Sequence, residues 1–123
     1  MNSTEMLCKN REDIRNEIML YMIGDLLGIA TKKMRGITLN YNNSLLEVNT
    51  FFDNELTEEE EEEMQTMDTR LITSAYPYLY NSKGEVILNI DKFGLNLIVI
   101  PADIDISDKE GNLGWIFLRK EYS

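Results

Sequence analysis

Six consecutive glutamates, Glu58 to Glu63, follow Asp53 and Glu55 near the middle of this 123-residue chain. A second acidic stretch, Asp103-Ile104-Asp105-Ile106-Ser107-Asp108, lies towards its end. Carboxylates can act as a paired acid and base, hold a hard cation, or attract a basic partner. The first use needs two carboxylates at a set separation, and a continuous run defines no such pair. For the second, Asp103-x-Asp105-x-Ser107 invites comparison with a calcium loop. That pattern wants glycine at position six and glutamate at position twelve, and the chain has Asp108 and Gly114 there. An ordinary exposed loop is the simpler reading, with a weak divalent-cation site as the alternative. The third use needs only charge in one place, and the chain meets that requirement.

Other chemistry is poorly supplied. The chain contains no histidine, so neither a Ser-His-Asp nor a Cys-His unit can be built, nor a site with His ligands. One cysteine, Cys8, cannot form an internal disulfide or a cysteine zinc site. The seven glycines are dispersed, giving no phosphate loop and no nucleophile elbow. No enzyme, cofactor or metal is expected. The formal net charge is −10, from 22 acidic and 12 basic residues, which argues against a surface for DNA or RNA. Its distribution says more. Residues 1–50 carry six basic and six acidic side chains, 51–80 carry one and nine, and 81–123 carry five and seven. The excess is a located block rather than a general bias.

The elements that must present this block can be read from periodicity. A helix is expected from about Arg11 to Leu27, with Ile14, Ile18, Met22 and Leu26 on one face and Asn10 as N-cap. Gly28 would stop it, and Thr31–Gly36 reads as a basic connector. Gly36–Tyr41 and Leu46–Phe52 alternate as strands about the turn Asn42-Asn43-Ser44. Thr57-Glu58-Glu59-Glu60 is a capping box, followed by the stripe Met64, Met67, Leu71, Ile72 and Ala75. Projected back from Met64, Glu60 and Glu61 fall on the side of that stripe. Six residues at 100° each encircle the helix, so its first two turns cannot have an apolar face. Tyr76-Pro77 ends it. Tyr76, Tyr78 and Tyr80 then alternate in an extended segment, at the core edge or as interface anchors. Glu85–Ile90, Leu95–Ile100 and Trp115–Glu121 are strand-like, Gly94 and Pro101–Gly114 supply turns, and Trp115 is expected in the core.

One domain over 1–123 is expected, with residues 1–9 frayed. Its class is α+β, two helices packed on one face of an antiparallel sheet of about four to five strands. The N-terminus lacks a basic head with an apolar run, and no stretch approaches the ~20 apolar residues a membrane span needs. A cytoplasmic protein with no membrane contact is expected. Oligomeric state is open, since the acidic block disfavours self-association while a sheet edge stays available.

Short motifs add a resemblance. Leu26-Leu27-Gly28, the strand end Phe51-Phe52-Asp53-Asn54-Glu55, the acidic helix Thr57–Glu63 and the closing Leu118-Arg119-Lys120-Glu121 resemble a family of small bacterial α+β proteins. That family has an F-D-G-E centre before an acidic helix and a Y-L-R-K-E tail. It is similar to immunity proteins for polymorphic and contact-dependent growth-inhibition toxins. The likeness covers roughly Ile14 to Glu121. It departs at Asn54, at Phe117 and in a longer segment around Tyr80–Phe93.

The resemblance implies a non-catalytic inhibitor of a toxin domain, and the charge implies that this domain is basic, as a nuclease would be. The residues expected to bind it are Asp53, Glu55, Glu58, Glu59, Glu61, Glu62, Glu63, Tyr76, Tyr78, Tyr80, Asp103, Asp105 and Asp108. Two other readings stay open at this point: a general interaction adaptor whose acidic helix is merely solvated, and the weak cation binder.

Overall fold

The alternation at Ile37, Leu39 and Tyr41, answered by Leu46, Val48 and Phe52, gives an antiparallel hairpin of β1 (Met34–Asn42) and β2 (Leu45–Phe52). Its loop is Asn43-Ser44, with φ of 50° and 63°. Two successive left-handed residues match the twist of the flanking strands, and asparagine tolerates that conformation well. The structure is a computed structural model and describes residues 11–19 and 33–119. Residues 11–19 form helix α1; the rest of the first expected helix, its cap and stop, and Cys8 lie outside the described residues.

The capping box forms as its sequence requires. The Thr57 hydroxyl accepts from the Glu60 amide, and the Glu60 carboxylate accepts from the Thr57 amide, opening α2 (Glu58–Ala75). Tyr76 is extended and ends the helix one residue before Pro77. Met64, Met67, Leu71 and Ala75 of α2 and Ile14 and Ile18 of α1 bury themselves with Ile37, Leu39, Tyr41, Leu46, Val48 and Phe52. Because those strand residues share one face, both helices pack on the same side of the sheet, and the fold is α+β.

The sheet order is β5-β2-β1-β6, with β5 spanning Lys92–Val99 and β6 Gly114–Leu118. Its β1–β2 and β1–β6 junctions are antiparallel, but β2 and β5 run parallel from Leu45↔Lys92 to Phe52↔Val99. The sheet is therefore mixed rather than wholly antiparallel. The cause is α2. Eighteen residues at about 1.5 Å each carry the chain roughly 27 Å back along the sheet. A short hairpin, β3 (Tyr78–Tyr80) with β4 (Val86–Asn89), follows, and β5 then starts beside the beginning of β2. The Asp91 and Lys92 amides both donate to the Ser44 carbonyl there.

Three local expectations need correction. Gly94 does not turn the chain; it lies inside β5 opposite Glu47, and the bend comes at Asp91. Met34–Gly36 is not a connector but the start of β1, where a register shift accommodates a fully buried Arg35. Trp115 pairs with Thr38 and so lies on the sheet face away from the helices, half-buried against Phe51 at a ring separation of 5.8 Å.

Candidate partner-binding surface

The parallel junction decides where the acidic segments go. β2 and β5 finish side by side, and the Ile100 amide donates to the Phe52 carbonyl at 2.8 Å. From Phe52 the chain continues into Asp53, Glu55 and the glutamate run, and from Val99 into the loop bearing Asp103, Asp105 and Asp108. Two stretches far apart in sequence therefore leave the same end of the sheet from neighbouring strands.

At this acidic end the carboxylates are not equivalent. Glu60 is half-buried and held by Lys33, whose Nζ lies 2.8 Å from Oε1 and also donates to the Glu55 carbonyl. The Lys33 ammonium first, then the Thr57 amide, hold the Glu60 carboxyl below its ordinary value. Asp53 forms an ion pair with Arg119 at 2.9 Å, so much of its charge is matched within the molecule. Glu58, Glu59, Glu61, Glu62 and Glu63 are exposed, Glu61 included although the helical projection puts it beside the core stripe. Glu55 is exposed as well. Five glutamates of the run thus remain on the outside of α2.

The second segment is built more firmly than its sequence implies. Arg35 Nη1 donates to the carbonyls of Ile100 and Pro101 at 3.1 Å each, and Nη2 to that of Ile104 at 2.7 Å. A guanidinium has the fork of donors needed to gather three carbonyls, which is why an arginine can be buried here. The far end of the loop is tied to β1. Thr38 Oγ1 accepts from the Gly111 amide and donates to the Gly114 carbonyl, and Asn112 bonds both the amide and the carbonyl of Tyr41. A Cβ at Gly111 would lie 2.1 Å from the Leu39 carbonyl oxygen, so only glycine permits that approach. Between these anchors Asp103, Asp105 and Asp108 are exposed.

Asp105 accepts from the Ser107 amide at 2.9 Å and from its hydroxyl at 2.8 Å. Those bonds, the amide first, hold its carboxyl below the ordinary value. The Asp-x-Ser spacing is thus used by a local turn. Among the described residues no group of three Asp, Glu, Cys or His side chains is gathered for a metal.

Tyr76, Tyr78 and Tyr80 lie elsewhere. They follow the C-terminus of α2, roughly 27 Å along the helix from Glu58 by its rise. The two acidic segments set out from one end of the sheet, the second then running on to Gly111 and Asn112 beside Leu39–Tyr41 of β1, and the tyrosines lie at the other end of α2. Tyr76 is 52% exposed, and Tyr78 and Tyr80 are each 46% exposed, their rings 6.4 Å apart in an edge contact. Val86, paired with Tyr80, extends this aromatic surface. Along the helix between the two ends, the exposed Thr66, Thr69 and Thr73 return their hydroxyls to the carbonyls one turn back.

Sequence reasoning passed over Lys33 and Arg35, which support the acidic end from below. The available signal was Met34-Arg35-Gly36-Ile37 running directly into the alternating strand. It also passed over Asp68, on the margin of the α2 stripe, whose Oδ1 is buried without a hydrogen bond and whose carboxyl burial pushes up.

Among the described residues no helix is long and apolar enough to cross a membrane. A family model described as MafI2 immunity protein matches residues 15–121. No curated protein matches the sequence.

Proposed function

The chain belongs to the MafI2 immunity protein family, and from that premise we propose that it neutralises a basic toxin domain, a nuclease, by binding it through the acidic end. It acts as a stoichiometric inhibitor in the cytoplasm and catalyses nothing. The observation that carries the reading is the parallel β2–β5 junction, which sends two acidic segments out of the same end of the sheet.

A nuclease holds phosphates with lysine and arginine, and a surface of exposed glutamates can occupy such a cleft in their place. Glu58, Glu59, Glu61, Glu62 and Glu63 supply most of the charge. Glu55, Asp103, Asp105 and Asp108 extend it, and Asp53 contributes through its position beside Arg119. Tyr76, Tyr78 and Tyr80 form a second contact with the same partner. An interface of standard size, near 800 Å² a side, is roughly 30 Å across and can reach from one end of α2 to the other.

The test is capture of a basic toxin domain from a neighbouring reading frame, followed by calorimetry between low and high salt. Affinity should fall steeply as salt rises. Replacing Glu59, Glu61, Glu62 and Glu63 together by glutamine should cost tenfold or more in affinity while the fold is kept. Unchanged binding by that variant would remove the acidic surface from the interface.

A further inference from the structure

We propose that the outer edge of β5 is a self-association surface, on which a second copy of this chain adds its own β5 antiparallel to form a continuous eight-stranded sheet. The proposal is independent of how the toxin is bound.

The two edges of the sheet differ. β6 is short, starts at Gly114 with φ of 88°, pairs with β1 through a register shift and ends at the Arg119–Asp53 ion pair. Such irregularities guard an edge against further pairing. β5 has none of them. It pairs with β2 along all eight residues without a shift and contains no proline, and Lys92 is its one charged residue. Among the described residues no strand pairs with its other side. Its apolar side chains are also incompletely covered. Phe93, Leu95 and Leu97 pack against the core but remain partly open, and Val99 is 45% exposed. The apolar side chains of β5 are thus less completely covered than those of β1 and β2.

Geometry selects the occupant. A closed pair of identical edges must be antiparallel about a two-fold axis, and residues opposite one another then share a face. Phe93, Leu95, Leu97 and Val99 share the helix-facing side of the sheet, because they pair with Leu46, Val48, Thr50 and Phe52. The register that covers them best places Asn96 on the axis. Leu95 then lies opposite Leu97 of the second copy, and Phe93 opposite its Val99. One apolar row completes the other in both directions.

Charge permits this arrangement and disfavours the alternatives. Both acidic segments leave at the C-terminal end of β5, so antiparallel pairing sends the two acidic ends apart. Eight residues of strand hold them about 26 Å apart, well beyond the ~8 Å Debye length at physiological salt. Lys92 comes to lie opposite Ile100 of the second copy, at the root of the loop bearing Asp103 and Asp105. A parallel side-by-side arrangement would instead bring the two acidic ends together.

Sedimentation equilibrium of the intact protein from about 1 to about 300 µM tests this. The mass should rise from 14.3 kDa towards twice that value, and the association should strengthen as salt is raised from about 0.01 M to physiological strength, over which the Debye length falls below the separation of the acidic ends. A single 14.3 kDa species at every concentration and salt overturns the proposal.

Val99→Lys should weaken association at least tenfold while leaving the melting temperature of the dilute monomer nearly unchanged, since Val99 is 45% exposed. A dimer indifferent to that change would be built elsewhere and would also overturn it. In a Cys8→Ser background, Asn96→Cys should give a disulfide-linked dimer on mild oxidation, whereas Ser82→Cys should not. A monomer in which Val99→Lys impairs only toxin capture would assign the edge to the toxin, against this proposal.

Discussion

At one end of α2, five exposed glutamates follow a cap held by Lys33, and Arg35 fixes the start of the loop that leaves beside them. At the other, three half-exposed tyrosines ride on a two-stranded hairpin attached by short strands. The acidic end has long-range attraction and little apolar area, and its position depends on buried polar bonds. The tyrosine end has large apolar contact area and no concentration of charge. Charge of this kind accelerates encounter and is screened by salt, whereas buried aromatic contact lengthens the life of a complex. On the proposed function, the two ends of one helix would act as a steering surface and a holding surface.

The largest effect expected is on the support of the acidic end. Arg35→Met removes the donors to three carbonyls and should cost about 4 kcal/mol, because several hydrogen bonds from a charged donor are lost and buried carbonyls are left unpaired. Chemical denaturation measures it, and a loss under about 1 kcal/mol would mean that the loop is held by other contacts. Next is Gly111→Ala. The added methyl meets the backbone of Leu39, which cannot swing aside, so about 3 kcal/mol should be lost with the loop displaced. Equivalent truncation at the tyrosine end, Tyr78→Ala or Tyr80→Ala, should change stability by no more than about 0.5 kcal/mol, as at other exposed sites.

Kinetics should separate the two ends most directly. With the captured toxin domain, the four-glutamate change to glutamine should slow association roughly tenfold, and this difference should shrink in high salt. Tyr78→Ala should leave association nearly unchanged and raise the dissociation rate roughly tenfold, near 1.4 kcal/mol. If both changes acted on dissociation alone, the division into steering and holding would not stand.

The smallest effects are those of pH. Glu60 has a lowered folded pKa, so its contribution is present above the ordinary glutamate value of 4.5 and is lost as pH falls through the lower folded value. Asp68 has the opposite sign. Its raised folded pKa means that ionisation opposes folding, a penalty absent below the ordinary aspartate value of 3.8 and complete above the folded value. Asp68→Asn should therefore stabilise the protein at neutral pH by about 0.5 kcal/mol, a modest gain for a half-buried group. The gain should vanish in acid, and thermal melts across the range would show both signs.

Much of the candidate site was legible because its chemistry is local. The capping box at Thr57, the stripe from Met64 to Ala75 and the glutamates unable to be core all follow from spacing along one helix. The Asn43-Ser44 turn and the β1–β2 hairpin follow from alternation and turn chemistry. Arg35 was not legible, because a basic residue beside Lys32 and Lys33 reads as solvated until three carbonyls from another part of the chain surround it. Nor was Gly111, whose need for glycine arises only from the approach of β1.

Two matters were settled by tertiary structure alone. An alternating strand satisfies a parallel or an antiparallel neighbour equally well, so nothing within Lys92–Val99 sets its direction. The length of α2 sets it, by returning the chain to the start of β2. That direction then fixes which segments leave from the same end. The sequence by itself determined that this protein has a concentrated acidic surface and an aromatic segment. Only the path of the chain decided that the strands leading into the two acidic stretches end side by side and that the tyrosines lie beyond the far end of the helix.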